Sequence, residues 1–281
     1  VFPVAGLGSR FLPATKVMPK EMLTLVDKPL IQYAVEEARA AGVESFAFVT
    51  SQGKTLIEDH FDSHYELYET LERRGKEAEL ASAKATEIAA GDLAIMRQHT
   101  PLGLGHAVWC ARDFIGNEPF AVILPDDVIL SKTPALKQMV DAYSKVGGNM
   151  VAVEEVPMEQ VHRYGILDVD QDDGKIASAK GLVEKPNAED APSNLSIIGR
   201  YILQPEIFDI LDKRETGAGG EIQLTDAIAK MIGPMPFHGF RFDGTRYDCG
   251  NKAGFVAANV AFAMAREDVA DDVRNMVKDL V

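Results

Sequence analysis

Two glycines flank a single leucine at Gly6-Leu7-Gly8, directly after the apolar run 2–5, and two cations follow at Arg10 and Lys20 in a loop punctuated by Pro13 and Pro19. Glycine lets a backbone approach an anion closely and turn its N–H groups inward, an arginine supplies a rigid fork of donors, and a lysine supplies a compact point charge. Together these residue types describe a cradle for a polyphosphate. A tight turn with surface cations beside it has the same composition. Two familiar phosphate loops do not fit. A dinucleotide fingerprint requires a third glycine at position 11, where Phe11 stands, and a P-loop requires Gly-Lys-Ser/Thr where residues 11–13 read Phe-Leu-Pro.

Acidic candidates appear at two places. Asp126 and Asp127 follow the apolar run 120–125, at the carboxyl edge where α/β sheets bind ligands and metals. Asp248 stands in Arg-Tyr-Asp-Cys-Gly, before a glycine and a new helix. A carboxylate at such an edge calls for a cation, although an Asp pair can also do no more than cap a turn. Metal-dependent glycosyltransferases space two acids around one residue, whereas these are adjacent, and those enzymes lack a Gly-Leu-Gly-Ser-Arg cradle. In Val-Glu-Lys-Pro (183–186) a strand runs into Pro186, which displays Glu184 and Lys185 at a fixed strand end. A carboxylate can accept hydrogen bonds from sugar hydroxyls while a lysine holds a phosphate. The same two residues can equally be a surface ion pair.

The elements that must position these groups alternate between strand and helix, the pattern of a mostly parallel sheet covered on both faces. Strand-like runs lie at 2–5, 45–50, 93–98, 120–125 and 150–156. Asp27-Lys28-Pro29 reads as an N-cap and early proline, opening a helix with Leu30, Ile31, Ala34, Val35 and Ala38 on one face and a stop at Gly42. Beyond 157 shorter strands are expected at 164–169, 176–184 and 195–203, with a turn at Asp172-Asp173-Gly174. Helices at 205–214, 221–232 and 251–265 and a charged helical tail follow. Residues 62–92, rich in Glu, Lys, Arg and Ala, read as two exposed helices.

A chain of 281 residues that is 46% hydrophobic can bury a large core as one elaborated domain. A net charge of −14 argues against a nucleic-acid or anionic-membrane surface, so phosphates must be met locally by a few cations. Cys110 and Cys249 are the only cysteines, which indicates neither a disulfide framework nor a zinc cluster. A reducing cytoplasm fits. No apolar run reaches the ~18 residues of a membrane span, and the chain opens inside a strand without a signal-peptide pattern, as though a few native residues preceded Val1.

The string AGLGSRFLPATKVMPKEML resembles the signature of the sugar-phosphate nucleotidyltransferases. Further agreement runs in order: RQHTPLGLGHAVWCA (97–111), ILPDD (123–127), RYGILDV (from 163), VEKP, SNLSIIGRYIL (193–203), GEIQLTDAIA (220–229) and RYDCGNK (246–252). The likeness covers nearly the whole chain and is strongest to the uridylyl branch. It implies a Rossmann-like α/β fold, the nucleotide-diphospho-sugar transferase fold: a mixed, mostly parallel central sheet flanked by helices, with a smaller antiparallel extension. A single domain, 1–281, would comprise a nucleotide-binding half (1–156) with the helical insertion 62–92, a sugar-phosphate half (157–250) and C-terminal helices (251–281).

The resemblance also implies an activity, the transfer of uridylyl from UTP to glucose 1-phosphate with release of pyrophosphate. Ala5, Gly6, Leu7 and Gly8 would form the cradle, and Arg10 and Lys20 would neutralise the leaving triphosphate tail. Gln98 and Gly103 would face uracil, the glutamine amide offering an acceptor to N3–H and a donor to O4. That amide could flip to meet cytosine, whereas the Gly103 N–H could not. Gly165, Glu184 and Lys185 would hold glucose 1-phosphate, with Asn194 beside them. Asp126 and Asp248 would bind Mg2+, which takes oxygen ligands and is commonly held by one or two carboxylates plus substrate phosphates; Asp127 fits that role less well. His106 would have a structural place, because a phosphate oxygen is already ionised and needs no general base. A homo-oligomer, dimer or tetramer, and a cytoplasmic location are expected. A nucleotide-sugar-binding regulator that kept the fold and lost turnover would lack the cations or the metal acids, and all five of Arg10, Lys20, Asp126, Lys185 and Asp248 are present.

Overall fold

A computed structural model describes residues 1–280. The first half carries β1 (Phe2–Pro3), β2 (Thr24–Leu25), β3 (Lys28–Pro29), α1 (Leu30–Ala40), β4 (Phe46–Thr50), α2 (Thr55–Phe61), α3 (Tyr65–Arg73), α4 (Glu77–Lys84) and β5 (Leu93–Arg97). Then come α5 (Leu104–Trp109), α6 (Arg112–Ile115), β6 (Phe120–Ile123), β7 (Asp127–Leu130), α7 (Ala135–Val146) and β8 (Asn149–Glu155). The rest comprises β9 (Gly165–Asp172), β10 (Ile176–Glu184), β11 (Leu195–Leu203), α8 (Ile207–Leu211), α9 (Leu224–Met231), β12 (Phe237–Arg241), β13 (Thr245–Asp248), α10 (Lys252–Met264) and α11 (Ala270–Leu280).

A three-stranded parallel sheet, β1-β4-β5, abuts a six-stranded mixed sheet in the order β6-β11-β8-β12-β10-β9. The Val1 nitrogen donates to the Ala121 carbonyl and the Ile123 N–H to the Val1 carbonyl, the slanted pair of a parallel ladder, so β1 and β6 join the two edge to edge. From β5 to β12, β11 alone runs against the others, and β9 and β10 form the antiparallel extension. Alternate residues of each strand enter opposite cores, as the two-residue period demands. Phe48, Ile123, Met150 and Ile198 meet Ile31, Val35 and Met139 of α1 and α7. Val49, Val122, Val151 and Ile197 meet Val108, Leu211 and Ile228 of α5, α8 and α9.

Three local expectations are corrected. Asp27 does not cap α1: a two-residue turn at 26–27 joins β2 to β3, Asp27 pairs with Arg266, and the Leu30 N–H is satisfied by the Leu23 carbonyl at 3.0 Å. Residues 221–223 are not helical, because the Ile222 N–H donates to the Leu102 carbonyl at 2.7 Å and the Gly105 N–H to the Ile222 carbonyl at 2.9 Å. The expected helix at 205–214 is confined to 207–211. The segment 62–92 does form two exposed helices, α3 and α4, without a buried residue in either.

One buried ion pair ties the sheet to α1. Arg200 on β11 is 1% exposed and places its fork on both oxygens of Glu37, at 2.9 and 2.8 Å, while its third arm reaches the Leu124 carbonyl at the end of β6. Glu37 also accepts the Leu136 N–H at the start of α7. Glu37→Ala should therefore lower unfolding free energy by roughly 3–5 kcal/mol, the scale of an orphaned buried charge, and the Glu37→Leu/Arg200→Met double variant by less. Urea unfolding midpoints check the order, and equal midpoints for Glu37→Ala and wild type would refute it.

Candidate active site

The candidate phosphate cradle is a loop folded back on itself beyond β1. Gly8 holds a positive φ of 66°, and Thr15 Oγ1 donates to its carbonyl at 2.7 Å. A Cβ at Gly8 would lie 3.0 Å from Lys20 Cβ, so the close return of Lys20 and the left-handed turn both require glycine. Ala5 is buried, whereas Leu7 is 78% exposed and can serve only through its backbone. Arg10 reaches across the loop to the Gly250 carbonyl at 3.3 Å.

Lys20 does not stand free. Its Nζ lies 2.6 Å from Asp126 Oδ2. Burial pulls the ammonium down, but Asp126 and then Glu21 outweigh it and hold Lys20 above the ordinary lysine range. Burial likewise pushes Asp126 up, and Lys20 reverses this and holds the carboxyl below the usual carboxylate range. Beneath them Lys54, at the start of α2, donates to the Val4 carbonyl at 2.5 Å and to Glu21 Oε2 at 2.9 Å. Sequence reading passed over Glu21 and Lys54; the clues were an acid directly after Lys20 and a lysine just beyond an apolar strand.

Asp248 approaches Asp126 from β13. A Cβ built on Gly250 would fall 2.9 Å from Asp248 Oδ1 and 3.1 Å from Asp126 Oδ2, so both carboxylates converge on one point that glycine leaves clear. Such an all-oxygen, two-carboxylate arrangement with room for other ligands fits Mg2+. Among the described residues, no group of three or more His, Cys, Asp or Glu forms a self-sufficient metal cage. Asp248 Oδ2 also faces Arg163 Nη2 at 3.3 Å and accepts from Asn251 at 2.9 Å. Cys249 lies between these acids, and burial, then Asp126, Asp127 and Asp248, push its thiol up to about 12.

Asp127 points the other way. Arg246 Nε donates to its Oδ1 at 2.6 Å and the Gly199 N–H to its Oδ2 at 3.2 Å, which makes it a buried partner of Arg246. Asp127 lines a second cleft of about 330 Å³ together with Gly165, Glu184, Lys185, Thr225 and Arg246. Glu184 accepts from Thr225 Oγ1 at 2.8 Å and meets Lys185 Nζ at 3.0 Å. A Cβ at Gly165 would lie 3.2 Å from Glu184 Oε2. Asn194 is not among the residues lining this cleft; it sits just before β11, its carbonyl accepting the Val156 N–H at 3.0 Å. Arg163 and Arg246, both in the cleft wall, were not anticipated from the sequence.

Gln98 and Gly103 do come together, with a correction. Gln98 Nε2 donates to the Gly103 carbonyl at 3.0 Å and lies 3.0 Å from His106 Nδ1. The amide nitrogen is thus already engaged, and only Oε1 is open to a ligand. A carbonyl can only accept, so while His106 Nδ1 is unprotonated the amide is held against the flip toward cytosine that was expected.

A family model described as Nucleotidyl transferase matches residues 4–264. A UTP–glucose-1-phosphate uridylyltransferase from Komagataeibacter xylinus is 57% identical over 252 residues, covering 90% of this chain and 89% of its own. A UDP-glucose pyrophosphorylase complexed with UDP-glucose superposes with a TM-score of 0.83 at 44% identity, over 94% of this chain and 98% of that one. A UTP-bound UGPase from Acinetobacter baumannii gives 0.89 at 39% identity, over 100% and 98%. With a glycine-and-cation loop and a polar cleft meeting at one strand end, and with likeness of this depth along its length, the chain belongs to the nucleotidyl transferase family.

Proposed function

We propose that this protein transfers uridylyl from UTP to glucose 1-phosphate, forming UDP-glucose and pyrophosphate. The observation that carries the proposal is the turn after β6. Asp126 faces the cradle of Gly8, Arg10 and Lys20, while the next residue, Asp127, lines the cleft of Gly165, Glu184 and Lys185. One strand end therefore joins a triphosphate site to a site suited to a sugar phosphate, as in-line transfer between two phosphates requires. The relatives named for uridylyl transfer, one of them solved with UTP and one with UDP-glucose, support the choice of substrates.

Catalysis by this set is positioning plus charge neutralisation. Arg10 and Lys20 meet the leaving pyrophosphate, Lys185 holds the attacking phosphate, and Glu184 and Gly165 receive the sugar hydroxyls. Gln98 Oε1 accepts from uracil N3–H. Asp126 and Asp248 would hold Mg2+, which supplies further neutralisation of the phosphate oxygens. No side chain is asked to be a nucleophile.

Pyrophosphate release over a panel of nucleotides and sugar phosphates tests the reaction. UTP with glucose 1-phosphate should exceed every other pair, and CTP, ATP and GTP should be poor because polar mismatches at buried groups such as Gln98 discriminate strongly. Equal release with purine nucleotides would overturn the assignment of base.

A further inference from the structure

We infer that His106 is a positioning residue for base choice, pinning the Gln98 amide so that it shows uracil an acceptor and denies cytosine a donor. The inference rests on the base-facing placement of Gln98 proposed above. Gln98 and His106 are 7% and 8% exposed, so neither amide nor ring is averaged by water. The two N–H groups of Gln98 Nε2 have one partner each, the Gly103 carbonyl and His106 Nδ1, both at 3.0 Å. Because the Gly103 carbonyl has no proton to give, the nitrogen must point inward. His106 Nδ1 must then accept, which places the ring proton on Nε2. Oε1 carries no hydrogen bond from the protein among the described residues.

A neutral ring is what the surroundings favour. Burial, then the Arg214 guanidinium, hold the imidazole below its usual range. Trp109 stacks on it with centroids 5.6 Å apart, and is itself held between Arg112 at 3.7 Å and Arg214 at 4.4 Å while donating to Asp212 at 3.2 Å. The Cys110 sulfur lies 4.0 Å from Nδ1. In acid, protonated Nδ1 would face the Gln98 N–H with a second donor. Turning the amide to relieve that clash would set Oε1 against the Gly103 carbonyl and swing Nε2 toward the base, an edge that suits cytosine.

The test compares kcat/KM for UTP and CTP from about pH 8 to about pH 5, across the range where histidines titrate. Their ratio cancels the shared titration of the triphosphate and metal groups. His106→Leu should lower the UTP/CTP ratio about tenfold, through KM for UTP, the scale of one net hydrogen bond. In the wild type the ratio should fall as the pH falls. His106→Asn places an acceptor oxygen near Nδ1 and cannot gain a proton there, so it should keep the ratio and lose its pH dependence. A merely structural histidine would change both nucleotides together. If Gln98→Leu collapses the ratio while His106→Leu leaves it unaltered and the wild-type ratio is flat with pH, the role of His106 is overturned and that of Gln98 stands. If Gln98→Leu leaves the ratio unaltered, both fall.

Discussion

Asp126→Asn should reduce pyrophosphate release from UTP and glucose 1-phosphate by roughly three orders of magnitude, the several kcal/mol that charge neutralisation by a bound cation contributes. The reason lies in where Oδ2 stands. It is the oxygen that Lys20 holds at 2.6 Å, and it is also the one that shares with Asp248 Oδ1 the point kept open by Gly250. An amide there cannot bring the second negative charge, and Lys20 and Arg10 would face each other with less compensation between them. The fold should survive, because the turn is anchored by backbone: the Asp126 carbonyl accepts the Cys249 N–H at 2.7 Å whatever the side chain. Gly250→Ala should err in the same direction with both acids intact, its methyl standing about where the two carboxylates meet. A coupled pyrophosphate assay, with circular dichroism to check folding, reads the loss. Excess chelator should silence the wild type, and full activity in its presence would sink the metal proposal.

What the sequence disclosed about this site was local. The glycine turn, the acids beyond β6 and the Glu-Lys-Pro strand end are each short strings whose chemistry follows from residue types next to one another. What it withheld depends on partners far along the chain. Nothing in the order of residues says that Arg200 will find Glu37, 163 positions away, or that Arg246 will take Asp127 and leave Asp126 for the cradle. Adjacent residues at a strand end face opposite ways, so Asp126 and Asp127 could be separated only by knowing which side holds the cradle. Asp27 misled for a related reason: its type suits an N-cap, but a hairpin and Arg266 claimed it first. The sheet was readable in outline because both its faces are covered, which writes near-continuous apolar runs into the strands. The inserted β11 was legible as a strand, though its place between β6 and β8 was not.

Lys185→Ala should weaken use of glucose 1-phosphate by roughly 10²–10³-fold in kcat/KM, the effect of removing one preorganised stabilising group, with UTP binding little changed. The two effects separate because Lys185 lies in the cleft with Glu184 and Gly165, while the cradle cations lie on the other side of the Asp126-Asp127 turn. Its backbone supports an assignment to function over packing. Lys185 holds a φ of 48°, in a region side-chain-bearing residues rarely occupy, and its N–H is fixed to the Tyr164 carbonyl at 2.9 Å just before Pro186. Strain of about 1–3 kcal/mol of this kind persists where surrounding structure over-determines it, commonly at ligand clamps. Stability should barely move, since the Lys185 side chain is 48% exposed and its pair with Glu184 is the sort worth at most about 1 kcal/mol. Calorimetric titration of UTP alone, beside initial rates over a range of glucose 1-phosphate, distinguishes the two sites. A comparable loss of UTP affinity would mean that Lys185 serves the nucleotide and that the sugar phosphate is held elsewhere in the cleft, with Arg163 and Arg246 the remaining cations on its wall.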